Sequence, residues 1–195
     1  MHTAIEAARA AGLHLVMAAK CTEPAEQAYF NTRVRPLLGP DVTWLGEVGQ
    51  ARKLQLLRRA RCLLFPIEWE EPFGMVLIEA LACGTPVVAL DRGAVGEVLE
   101  HGVTGLVAGS AARLPALLRE VERLDPRACR NSAEQRFDVA RLAADYEAVY
   151  RCVLAAAEVS VPLYPDLVDR YPRAARQASS EPQLVGDLLD PPRRG

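Results

Sequence analysis

Two carboxylates bracket a stretch suited to holding a polar ligand: Glu71-Pro72-Phe73-Gly74-Met75-Val76-Leu77-Ile78-Glu79. A carboxylate oxygen accepts more than one hydrogen bond, so such groups suit the hydroxyls of a sugar or a ribose. Gly74 has no side chain and lets a ligand approach the backbone closely. A helix starting near Gly74 leaves its first amides without internal partners. Those amides and the helix dipole favour an anionic or hydroxyl-rich ligand. Glu79 is the only charge between Met75 and Cys83. If it is buried, something must satisfy it, because an unpaired buried charge is costly. The residues alone leave two readings open. The pair binds a ligand, or Glu79 faces solvent on an amphipathic helix and Glu71 is a loop charge.

The elements around the pair follow from the apolar pattern. Cys62–Ile67 is an apolar run that reads as a strand, so Glu71 follows a strand's carboxyl end, where open α/β sheets bind ligands. Further strands are expected at His14–Ala19, Val42–Leu45, Pro86–Leu90 and Leu106–Val107. Helices are expected at Thr3–Ala11, Pro24–Leu38, Gln50–Ala60, Gly74–Cys83 and Ala94–Glu100. Gly12 closes the first, and Pro36 distorts the last turn of the second. Beyond Ala111 the pattern is helical: Ala112–Leu124, then Arg127 to about Glu158, with a break or bend between Asn131 and Asp138. Strands that are continuous apolar runs, alternating with helices, predict a doubly wound α/β fold with a parallel sheet covered on both faces. Residues 1–158 read as one domain. Residues 159–195 hold six of the 14 prolines and read as a poorly ordered tail.

Composition narrows the function classes. The chain has 195 residues and a formal net charge of −2, so no global field draws it to nucleic acid or an anionic membrane. No apolar run is long enough to span a membrane, and the first residues are not a signal peptide. Cys21, Cys62, Cys83, Cys129 and Cys152 form no CxxC pair, and His2, His14 and His101 have no ligand spacing. The expectation is reduced, mostly buried thiols in a cytosolic protein without a metal site or cofactor.

The string as a whole is more specific than its two carboxylates. Glu71-Pro-Phe-Gly-Met-Val-Leu-Ile-Glu79, followed by Ala80-Leu-Ala-Cys-Gly-Thr-Pro-Val-Val88, resembles the E-x7-E motif of GT-B-type glycosyltransferases of family 4. The resemblance extends to Val42-Thr-Trp-Leu-Gly46, to Gly93-Ala-Val-Gly-Glu97, to His101-Gly-Val-Thr-Gly105 and to Phe137–Tyr150. It covers roughly residues 2–155. It implies a Rossmann-like half-domain, the C-terminal one, that binds a nucleotide-sugar and transfers a hexosyl group with retention and without a metal. By position, Glu71 would contact hydroxyls of the transferred sugar and is the catalytic candidate. Phe73, Gly74, Met75 and Val76 would offer backbone amides to sugar and phosphate. Glu79 would accept from the ribose, and Gly93 would let its loop approach the donor.

One departure stands out. The family's domain opens with a strand and a Gly-Arg…Lys-Gly loop whose cations neutralise the donor diphosphate and the leaving group. Here Met1–Ala8 resembles the segment after that loop, so the first strand, the two cations and the acceptor domain are expected to be missing. Lys20, Arg52, Lys53 and Arg92 are the substitutes to weigh. Arg92 reads first as an exposed loop charge, and Lys53 as part of a solvated helix face. Three functions remain: a transferase fragment that needs a separate acceptor-binding chain, a non-catalytic nucleotide-sugar-binding or interaction module, and a sugar-nucleotide epimerase of related fold.

Overall fold

Residues 1–158 are described by a computed structural model, in which short parallel strands alternate with helices. The order is α1 (His2–Ala11), β1 (Leu15–Met17), α2 (Pro24–Tyr29), β2 (Val42–Trp44), α3 (Gln50–Arg59) and β3 (Leu63–Phe65). There follow α4 (Met75–Ala82), β4 (Val87–Leu90), α5 (Val95–Val98), β5 (Gly105–Ala108), α6 (Leu114–Glu120), α7 (Pro126–Arg136) and α8 (Val139–Glu158).

The central strand shows why the apolar runs are continuous. Val87, Val88, Ala89 and Leu90 are all buried. Successive side chains point to opposite faces. Val87 and Ala89 join one core with Leu57 of α3, Leu77 and Leu81 of α4, Val95 of α5 and Cys129 of α7. Val88 and Leu90 join the other with Ala7 of α1 and Leu114, Leu117 and Leu118 of α6. Helices therefore cover both faces, as expected of a doubly wound fold.

Among the described residues the parallel strands pair as two ladders. β3, β4 and β5 pair in parallel in that order, with Leu63 opposite Val87 and Val87 opposite Gly105. β1 and β2 form a separate parallel pair, with Leu15 opposite Val42. Leu15 N–H donates to Asp41 O and Leu45 N–H donates to Met17 O, so β1 spends its odd-numbered residues on β2. The alternation turns the main-chain groups of Val16 away from that pair. Val16 is 47% exposed, whereas every residue of β4 is buried.

Boundaries differ where a neighbour or a proline decides them. The strands expected at His14–Ala19 and Cys62–Ile67 shorten to Leu15–Met17 and Leu63–Phe65, because a strand extends only as far as its ladder. The helix expected over Pro24–Leu38 keeps α-geometry only to Tyr29. Phe30–Val34 widens to a π-turn, with Arg35 N–H donating to Phe30 O, and Arg35–Leu37 tightens to a 3-10 turn. Pro36 lacks the N–H an α-helix would need there, and the distortion starts a full turn earlier than expected. The break inside Arg127–Glu158 falls at Phe137-Asp138. Met1–Asp138 forms one compact unit, and α8 opens a second. In α8 the rings of Tyr146 and Tyr150 lie 6.1 Å apart. The expected tail, residues 159–195, lies outside the described residues.

All five cysteines are free thiols, but only Cys129 is buried, against the expectation that most would be. Cys152 is exposed on α8. Burial pushes the Cys129 thiol up to about 11 and does the same to the half-buried Cys62.

Candidate functional site

Parallel strands place their carboxyl ends on one edge, so the loops following β3 and β4 lie side by side. These are the loops that carry Glu71 and Gly93, and hydrogen bonds from two main-chain amides join them. Ala94 N–H donates to Glu71 O at 2.9 Å. Gly93 N–H donates to Glu70 Oε2 at 2.5 Å. Gly93 has φ 51°, and a Cβ there would overlap the backbone of Glu71. The glycine is required by this loop-on-loop contact, a reason separate from any approach to a ligand.

Glu71 is held locally. Its Oε1 accepts from Gly74 N–H at 3.2 Å and its Oε2 from the Trp69 indole at 3.1 Å. Gly74 stands in the left-handed region at φ 74° and leads into α4, so the chain turns sharply from the Glu71 loop into the helix. The four backbone amides expected to face a ligand therefore divide. Gly74 N–H is taken by Glu71, while no described residue accepts from the amides of Phe73, Met75 or Val76. Side chains around these amides are open: Met75 is 62% and Phe73 44% exposed. The Phe73 ring meets Phe137 edge-on, with centroids 6.4 Å apart.

Glu79 lies on the second turn of α4, facing α3. Lys53 Nζ donates to its Oε1 at 2.6 Å, and Gln50 Nε2 donates to the same oxygen at 3.5 Å. Lys53 is therefore not simply part of a solvated face; α3 and α4 pack on the same side of the sheet and bring the two charges together. Glu79 is paired and half-buried, between the two placements left open by the residues. Arg92 remains a loop charge, its Nη1 donating to the adjacent Asp91 O.

The structure thus gathers Glu71, Gly74 and Gly93 into one bonded loop cluster, with the Met75 and Val76 amides at its helix start. Glu79 joins a neighbouring cluster with Lys53 and Gln50. Trp69, Glu70 and Gln50 were not singled out as site residues by the sequence, and Lys53 was weighed there only as a substitute cation. Lys53 had one available signal: it sits in the first turn of a helix that follows a strand, hence at the carboxyl edge. Glu70 had none beyond its place in a run of carboxylates.

Residues 2–136 match the family model described as glycosyl transferases group 1. The chain is 39% identical over 119 residues to phosphatidyl-myo-inositol mannosyltransferase of Mycobacterium leprae, covering 57% of this chain and 32% of that protein. It is 33% identical over 121 residues to N-acetyl-alpha-D-glucosaminyl L-malate synthase of Bacillus anthracis, covering 58% and 31%. Among solved structures it resembles a glycosyltransferase involved in avilamycin A biosynthesis, with TM-score 0.67, 30% identity and coverage of 79% of this chain and 48% of that one. It also resembles Anabaena HepE in complex with UDP, with TM-score 0.67, 25% identity and coverage of 77% and 44%. The chain spans about a third of the length of these curated relatives and under half of these solved chains.

Proposed function

This chain belongs to the group 1 glycosyl transferases, and we propose that it is the donor-binding, C-terminal half of a retaining GT-B enzyme of family 4. Its ligand in this reading is a nucleotide-sugar, and its reaction is hexosyl transfer from that donor to an acceptor. The observation that carries the reading is the open start of α4, where the Met75 and Val76 amides meet no acceptor among the described residues, directly after Gly74, which is bonded to Glu71. Oriented amides at a helix start stabilise negative charge without reorganising, which suits a donor phosphate and the charge that develops on its departure. Each Glu71 oxygen carries one protein hydrogen bond and keeps capacity for a sugar hydroxyl. Glu79 takes the ribose, Phe73 and Gly93 border the donor, and no metal or cofactor is assigned a part. HepE solved with UDP-glucose, at 26% identity and TM-score 0.60, supports a donor of this class.

The proposal extends to what completes the site. The cations for the diphosphate, an acceptor-binding half and a strand between β1 and β3 are not supplied by the described residues and are assigned to other polypeptide. The separate ladders and the exposed Val16 support the strand. Free thiols support a cytosolic setting. Calorimetric titration of the chain with UDP-glucose, ADP-glucose and GDP-mannose tests the reading. Saturable but weak binding of at least one donor, with slow or no transfer, is expected. No saturable binding of any donor overturns the donor-site assignment, and rapid multiple turnover by the chain alone overturns the assignment of missing parts.

A further inference from the structure

The pairing of Lys53 with Glu79 has no counterpart in the reading drawn from the motif, which gave the ribose to a carboxylate alone. The pair has an unusual position among the ion pairs of the described residues. Glu79 and Lys53 are 21% and 35% exposed at their side chains, less than either partner of Arg61–Glu122, Arg130–Glu134 or Arg151–Glu147. Those three are surface pairs, two of them within a single helix turn, and such pairs contribute little. Lys53–Glu79 instead joins two helices whose N-terminal turns both stand on the sheet's carboxyl edge, beside the Glu71 loop.

The hydrogen-bond inventory of the pair is lopsided. Both protein donors, Lys53 Nζ and Gln50 Nε2, converge on Glu79 Oε1. No described residue donates to Oε2. An ammonium carries three protons, and Lys53 uses one on Glu79. The cluster therefore keeps both an acceptor and donors for a further group, and it is exposed enough to be reached. A vicinal diol requires that combination, since its hydroxyls donate to a carboxylate and its oxygens accept from an ammonium.

We infer that Lys53 is a specificity-determining residue of the donor site, its ammonium and the Glu79 carboxylate together taking the 2′,3′-diol of a nucleotide ribose. The inference rests on the donor-site reading of Glu79 and adds the lysine to it. A site that supplies both halves of a diol's hydrogen bonding rejects a ligand lacking one hydroxyl, because a half-buried polar group is then left unpaired. Gln50 steers the carboxylate from the first residue of α3.

The test measures affinity for UDP and 2′-deoxy-UDP, and for the matching ADP and GDP pairs, in the wild-type chain and in Lys53→Met and Lys53→Gln. The wild type is expected to prefer the ribose form by about tenfold, a hydrogen bond to a charged group. Both variants should reduce that preference to about threefold or less, whatever their effect on overall affinity or melting temperature. A lysine that merely pins α3 to α4, or attracts phosphate by charge, shifts both ligands equally and leaves the ratio alone. An unchanged ratio in the variants, or no ribose preference in a wild type that binds, overturns this inference and leaves the donor-site reading standing. A wild type that binds none of the nucleotides overturns both.

Discussion

Glu71 and Glu79 lie on one continuous segment, yet they are held by opposite means. Glu71 sits in a loop fixed mainly through the main chain: its carbonyl accepts from Ala94, its carboxylate accepts from Gly74, and its neighbour Glu70 accepts from Gly93. Glu79 sits on a helix that would form without it, and its partners are the flexible side chains of Lys53 and Gln50. Backbone contacts tolerate little displacement, because two glycines fill spaces that a Cβ would enter. Side-chain contacts can be lost while both helices keep their cores. The first carboxylate is thus tied to local folding, and the second can vary to tune binding.

Substitutions can break or sharpen this contrast. Gly93→Ala should act most strongly. It places a side chain in the left-handed region and drives it into the Glu71 backbone, with an expected loss of about 3 kcal/mol or more in urea unfolding. A loss below about 1 kcal/mol would show that the two loops are not rigidly joined. Gly74→Ala should cost less, about 1–2 kcal/mol, because the φ of 74° is strained for alanine while the nearest atom is the movable Leu77 Cδ1, 2.9 Å from the new Cβ. The same unfolding assay reads it, and an effect equal to that of Gly93→Ala would erase the distinction between backbone and side-chain obstruction. Glu79→Gln should be mildest, within about 1 kcal/mol, since the Lys53 pair is partly solvated. A larger loss would mean that the pair is a structural clasp between α3 and α4.

Much of the fold was legible because local rules and tertiary demands agree. The apolar run around Val87–Leu90 is a strand buried on both faces. Gly12 ends α1, and Gly74 opens α4. Where a feature depended on a neighbour, legibility failed. Nothing local in Cys62–Ile67 states that pairing with β4 ends after Phe65, and nothing in Phe30–Val34 specifies a π-turn. Lys53 looked like a helix-surface charge because its partner lies 26 residues away, on a helix brought alongside only by packing on the same face.

The sequence by itself determined the alternation of elements, the sharp start of α4 and the two carboxylates flanking it, since these follow from spacing, glycine placement and burial periodicity over a few residues. The tertiary structure alone decided that Glu70 and Glu71 would be bonded to Gly93 and Ala94, that Lys53 would meet Glu79, and that the strands would pair as two ladders. Those outcomes depend on which distant segments share an edge or a face, and that is set by how the strands are ordered and the helices packed.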